Sequence, residues 1–268
     1  CPTGPEAYVR TEARAAEATW RGPFADPSFP LGRARPIEIP IGSKPDSGQG
    51  ATREQVEKCL MRHITDSGEQ GYFANRYQDI KDLGPGAADH LLAIFESSKD
   101  PQLKHLSVEA LGEVADASAV PKLRRLAGES KNQEYSLSLA VALYRLGEPA
   151  EVDRMLERSR SRLEDETAPA TKASILGGMG LIYSLIGKED EALEQYQEAT
   201  KLDAGNSIAF YNLACSYSKL GRVDDAIGAL EGALQAGYED WEWMMVDGDL
   251  EAVRADARFK ELYVKYRK

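Results

Sequence analysis

Cysteine, histidine and tryptophan each occur only three times in 268 residues. Three cysteines with no CxxC pair cannot build a disulfide framework. A multi-histidine metal site would consume nearly all of His63, His90 and His105, which are spread over three predicted helices, so no metal site is expected. No stretch approaches the roughly 18 consecutive apolar residues of a membrane helix. Positive charge is in short supply: 33 Lys+Arg against 44 Asp+Glu leave a net charge of −11. A nucleic-acid binder needs a basic face for phosphates, so nucleic acid is not an expected partner. The nucleotide loop G-x-x-x-x-G-K-S/T, H-E-x-x-H, G-x-S-x-G and the haem motif C-x-x-C-H are all missing. Gly177-Gly178-Met179-Gly180 lies in a predicted helix and follows no strand, so packing explains it better than phosphate binding. Asp247-Gly248-Asp249 lacks the glutamate that closes a calcium loop. No catalytic residue, cofactor or small-molecule substrate is expected, and the chain reads as non-enzymatic. Cys59 and Cys215 fall on apolar helix faces and are expected as small core residues.

Proline is concentrated at one end. Eight of the 13 prolines lie in residues 1–50, a charge-neutral segment, so the whole negative charge belongs to residues 51–268. From Arg21 to Gly50 fixed φ angles and missing donors favour extended and polyproline II conformations. Such an arm buries little alone. It packs back on its own repeats or lies on another chain; both dispositions are open. Phe24, Phe29, Ile37 and Ile39 are its expected partner-binding anchors, with Leu31 and Ile41 beside them. Numbering opens on Cys1-Pro2-Thr3-Gly4-Pro5. This resembles mature bacterial lipoproteins, which carry acyl chains on a first cysteine followed by a flexible tether. The resemblance implies lipid attachment at Cys1 and a periplasmic, membrane-anchored location, with the cytoplasm as the alternative.

From Ala173 the chain repeats itself every 34 residues. Tyr183, Ser184, Gly187, Asp190, Ala192 and Ala199 recur as Tyr217, Ser218, Gly221, Asp224, Ala226 and Ala233. Gly180/Ala214 and Ala192/Ala226 are small where paired helices would cross. Gly187 and Gly221 supply a left-handed residue at a helix end. The order Leu176, Met179-Gly180, Tyr183, Gly187, Ala192, Tyr196, Ala199 resembles the tetratricopeptide repeat (TPR). The family's proline is replaced by Ala204 and Tyr238, so the second helix of each pair is expected to run on or end less sharply. The tail from Trp241 resembles the segment that closes bacterial TPR arrays. Trp243, Met244, Leu250, Val253, Phe259 and Leu262 would cover the last apolar face, with Asp249 and Asp256 as N-caps.

Residues 86–163 repeat at 32 residues: Leu91 aligns with Leu123, Val120 with Val152, and Ala110-Leu111 with Ala142-Leu143. Predicted helices run 86–97, 102–115, 117–128, 133–146 and 150–163, preceded by a poorer pair at 52–65 and 75–83. Asp100-Pro101, Ala110-Leu111-Gly112 and Ala119-Val120-Pro121 resemble a HEAT-type repeat. The expected fold is therefore an all-α, right-handed α-solenoid of stacked helix pairs with an extended proline-rich arm. Its parts are 1–50 (tether and arm), 51–163 (HEAT-like), 164–172 (junction), 173–240 (two TPR repeats) and 241–268 (cap).

In TPR arrays the first helix of each pair lines a concave groove. That resemblance places Ser174, Gly177, Leu181 and Ser184, then Ile208, Tyr211, Asn212, Cys215 and Lys219, along it. Ile208, Tyr211, Asn212 and Lys219 are the expected groove contacts. Residues 173–240 hold 4 basic and 11 acidic residues, which suits other protein subunits with basic surfaces. The expected function is an interaction scaffold or accessory subunit of a bacterial membrane-associated complex. The alternatives are a pilotin-like assembly lipoprotein for secretion or pilus subunits, and a HEAT-type lyase.

Overall fold

The computed structural model describes residues 50–65, 77–84, 86–130 and 133–267, with backbone only at 62–65 and 133–134. Cys1, Phe24, Phe29, Ile37 and Ile39 lie outside the described residues, as does the rest of the arm to residue 49. The described elements are α1 (Arg53–Thr65), α2 (Gln78–Asp82), α3 (Ala87–Ser97), α4 (Pro101–Val114), a 3-10 turn (Ala117–Ala119), α5 (Val120–Glu129), α6 (Gln133–Arg145) and α7 (Ala150–Asp165). They continue as α8 (Pro169–Leu185), α9 (Glu189–Leu202), α10 (Ser207–Lys219), α11 (Val223–Gln235), α12 (Trp241–Val246), a second 3-10 turn (Gly248–Leu250), α13 (Glu251–Arg254) and α14 (Ala257–Tyr266). No strand occurs among the described residues, so the all-α class expected from the repeats is the observed one. Among them no helix is long and apolar enough to cross a membrane.

The chain divides into two compact units at Lys122/Leu123, inside α5. In the first, Leu91, Leu92 and Ile94 of α3 are buried, as are Leu106, Val108 and Leu111 of α4. The Asp100 carboxylate accepts from the Gln102 amide at 2.9 Å and Pro101 occupies the first helical position, so α4 starts sharply. His90 Nε2 lies 2.9 Å from the Ala51 carbonyl, tying α3 to the chain before α1.

The second unit shows that the change of repeat period is not a break in packing. Ala140 of α6, Val152 and Leu156 of α7, and Ile175, Met179 and Ile182 of α8 form one buried cluster. The last HEAT-like pair and the first TPR helix share a core, because each helix pair leaves one apolar face that only a neighbour can cover. The expected junction 164–172 shrinks accordingly. Glu164 and Asp165 complete α7, Pro169 opens α8, and only residues 166–168 connect them. The Glu166 carboxylate accepts from the Thr167 and Ala168 amides, each at 2.8 Å, and these bonds hold it below its ordinary pKa.

Within the TPR pairs, Ala192, Ala199, Ala226 and Ala233 are fully buried, as the 34-residue register requires. Gly187 and Gly221 adopt φ of 78° and 71°, and the following amides close back onto Tyr183 and Tyr217 carbonyls at 2.9 Å. The second helices do not run on. α9 stops at Leu202, where Asp203 turns extended and accepts from the Gly205 amide at 3.0 Å. α11 stops at Gln235, with Gly237 at φ 91° and the Tyr238 amide bonded to Ala233. An Asx-type turn and a left-handed glycine thus replace the missing proline.

The tail closes the stack. Met244, Leu250, Val253, Phe259 and Leu262 are buried in one cluster with Leu230, Ala233 and Leu234, and Trp243 packs at its edge. Asp256 caps α14 through the Arg258 amide at 2.9 Å. Asp249 is not a cap; that place belongs to Asp247, which accepts from the Asp249 amide at 3.0 Å. The reason is spacing: an Asx turn needs its acceptor two residues before the donor.

Candidate functional site

The expected groove residues meet different fates. Ile208 stands at the start of α10 with 42% of its surface exposed, and Asn212, one turn on, is half-buried. On α8, Ser174 is exposed and Leu181 half-buried, and a Cβ added at Gly177 or Gly178 would meet nothing within 4 Å. Lys219 is engaged internally. Its ammonium pairs with Glu189 at the start of α9 and donates to Ser184 Oγ at 3.0 Å, while Ser184 Oγ donates to Glu189 at 3.0 Å.

Tyr211 is not a groove contact. It is buried, and its ring stacks on Tyr238 with centroids 4.3 Å apart and planes 6° from parallel. Its hydroxyl donates to Asp247 Oδ2 at 2.6 Å. Cys215, one turn along α10, places its sulfur 3.6 Å from the same oxygen and is equally enclosed. The C-terminal segment lies over this stretch of α10, because two TPR pairs end on an apolar helix face that has no third pair to cover it.

Asp247 is the polar centre of that seal, 7% exposed. Its side chain accepts from Tyr211, Cys215 and the Asp249 amide. The Arg254 guanidinium binds the Asp247 and Met244 carbonyls, the latter at 3.2 Å, pinning α13 against the end of α12. A buried carboxylate is tolerable only with its acceptor sites filled. Burial pushes the Tyr211 hydroxyl and the Cys215 thiol well above their ordinary values, with the nearby Asp247 charge adding to both. Cys215 therefore stays a thiol and lacks the thiolate character of a nucleophile. Sequence alone points to Asp249 as the cap and passes over Asp247, whose place beneath Tyr211 has no local signal.

Asp249 sits at the rim of the seal. The residue itself is exposed, next to Leu250 of the buried cluster. Partial desolvation, with Asp247 and Glu189 nearby, raises it to about 6 against the pull of Lys219. A carboxyl whose pKa is higher folded than unfolded binds its proton more tightly in the folded state. Its contribution is present below the unfolded value and is lost as pH rises through about 6. Urea melts between pH 4 and pH 7 should therefore show a falling component that Asp249→Asn removes, with the variant at least as stable as the parent at pH 7. A slope unchanged by the substitution would assign the pH dependence elsewhere.

Comparison with known proteins agrees with this architecture. Residues 88–175 match HEAT repeats. Residues 173–206 and 195–228 match tetratricopeptide repeats. The chain carries both HEAT and tetratricopeptide repeats. The HEAT match runs into α8, where the shared core lies. The second TPR match begins inside α9 and ends in α11, bridging one helix pair to the next. The chain is also similar to a chloroplastic protein of Arabidopsis thaliana, with 41% identity over 92 residues. That stretch is 32% of this chain and 27% of the plant protein. No solved structure matches significantly. Repeats of these two kinds make the chain a protein–protein interaction scaffold in general terms.

Proposed function

We propose that the protein is a non-enzymatic accessory subunit of a membrane-associated complex, and that it binds a partner polypeptide along α8 and the first turns of α10. Exposed Ile208 carries the reading, beside half-buried Asn212 on the part of α10 that the C-terminal seal leaves open. Gly177 and Gly178 support it, since open space at both lets another backbone approach α8 closely. Tyr211 is withdrawn from this contact, and Lys219 contributes at most through its pair with Glu189. The acidic balance of residues 173–240 favours a partner with a basic surface, brought in by long-range attraction.

The location belongs to the same proposal. A bacterial envelope is one setting; a chloroplast is the other, because the similar plant protein is chloroplastic. A lipidated Cys1 and a pilotin-like escort role enter as arms of the test. A photocrosslinking residue at position 208 in the full chain should capture a discrete protein from the membrane fraction of native cells. Ser174→Arg in the same chain, on the exposed face of α8, should abolish that capture without lowering the melting temperature. Capture that persists after washing marks a permanent subunit, and capture seen only during secretion or assembly marks an escort. No crosslinked protein from position 208, or the same yield in the Ser174→Arg chain, would end the groove reading.

A further inference from the structure

Helix α7 holds five carboxylates and four arginines, yet gathers three of the arginines on one face. All four of its cationic residues are arginine, Arg154, Arg158, Arg160 and Arg162, with no lysine among them. Arg154, Arg158 and Arg162 recur every fourth residue, so they share one helix face at intervals of about 6 Å along the axis. That face points away from the core, since α7 buries Val152 and Leu156 and all three arginines are exposed. They line a shallow groove together with Glu157 and Ser161.

The chain does little to neutralise this row. Arg154 pairs with Glu151 on its own helix, and Arg160, off the row, takes Glu157 and the Tyr183 hydroxyl. Arg158 and Arg162 have no hydrogen bond or ion pair for their guanidinium groups among the described residues; Glu166, near Arg162, is committed to its own turn. At Arg158 the sequence explains the gap, since the positions three and four away are Met155, Ser161, Arg154 and Arg162; Arg162 has Asp165 three residues on but makes no ion pair with it. Favourable interaction with the helix dipole accounts for Arg162 in the last turn, but not for Arg154 and Arg158 farther in. Three adjacent cations on one face repel one another by the same spacing rule that pairs opposite charges. Guanidinium groups are suited to bidentate contact with carboxylates, which an ammonium cannot make.

We propose that the Arg154–Arg158–Arg162 face of α7 docks an acidic helical segment of a protein partner, with carboxylates repeating every fourth residue. Charge complementarity and the matched helical period select this occupant. The surface is separate from the α8–α10 contact, so one scaffold would hold a basic partner and an acidic one at different places.

The test uses the full chain and a short alanine-rich helical peptide with glutamate at every fourth position, at low ionic strength. An isomer with the same glutamates clustered at one end is the control. Binding should follow the spaced peptide, fall with salt, and weaken by about tenfold in Arg158→Glu/Arg162→Glu. The melting temperature and the crosslink from position 208 should stay unchanged in that variant. Equal binding of both peptides, or no effect of the double substitution, would overturn the proposal. So would a preference of the row for phosphatidylglycerol vesicles over the peptide. Self-association lost on Glu194→Lys/Glu198→Lys would overturn it too, since Asp190, Glu194 and Glu198 of α9 are exposed and four residues apart and would make the occupant a second copy.

Discussion

Replacing Asp247 by alanine should destabilise the second unit by about 3 kcal/mol, the largest single effect expected outside the apolar core. The side chain accepts from the Tyr211 hydroxyl at 2.6 Å, the Cys215 sulfur at 3.6 Å and the Asp249 amide at 3.0 Å, all beneath the C-terminal segment. Hydrogen bonds to an ionised group are worth about 1.5–3 kcal/mol each, and the abandoned Tyr211 hydroxyl would lose its partner in a site closed to water. Relief of the buried charge's own desolvation offsets part of this, so the sum stays well below three full bonds. Asp247→Asn keeps an acceptor for one donor and should cost about half as much, whereas Tyr211→Phe removes one donor only and should cost about 1 kcal/mol. The two sites are in direct contact, so a double-mutant cycle should show coupling of about 1 kcal/mol. Urea melts followed by Trp241 and Trp243 fluorescence report on the seal itself. A loss under about 1 kcal/mol for the alanine variant would mean that apolar residues of the tail hold it unaided.

Gly180→Ala should destabilise although helix propensity alone favours it. Alanine gains about 1 kcal/mol over glycine in a helix interior. At Gly180, however, an added Cβ would stand 2.6 Å from Cε1 of Tyr196 and within 2.9 Å of two further ring atoms. Tyr196 is only 1% exposed, and its rigid ring is enclosed with Ala192 and Leu193, so it cannot swing aside. Overpacking of this kind costs about 1–3 kcal/mol, with an opened helix crossing at the upper end, and it exceeds the propensity gain. Gly178→Ala, two residues away, meets nothing within 4 Å and should stabilise by about 0.5–1 kcal/mol. Opposite signs in chemical melts would verify the register; stabilisation at both would place the crossing of α8 and α9 elsewhere.

Much of the helical framework is local and was therefore readable. Asp100-Pro101, Gly187 and Gly221 set helix ends through hydrogen bonds and φ angles that depend only on neighbouring residues. The buried alanines followed from period, since a 34-residue repeat returns the same side chain to the same crossing. The expected overrun of α9 and α11 failed because the absence of one stop signal says nothing about substitutes, and Asp203 and Gly237 were sufficient.

What the sequence by itself determined is the all-α class, the two repeat periods and the helix boundaries to within a few residues, all set by short-range spacing. The tertiary structure decided which faces are spent. Periodicity places Tyr211, Asn212 and Ile208 on the same helix but cannot say where a neighbouring segment ends. The tail lies over the Tyr211 end of that surface and leaves Ile208 open, because Met244, Leu250 and Phe259 bury with Leu230, Ala233 and Leu234 of the last pair while Asp247 reaches the Tyr211 hydroxyl. Asp247 is held there by groups 32 and 36 residues distant, and only folding brings them together.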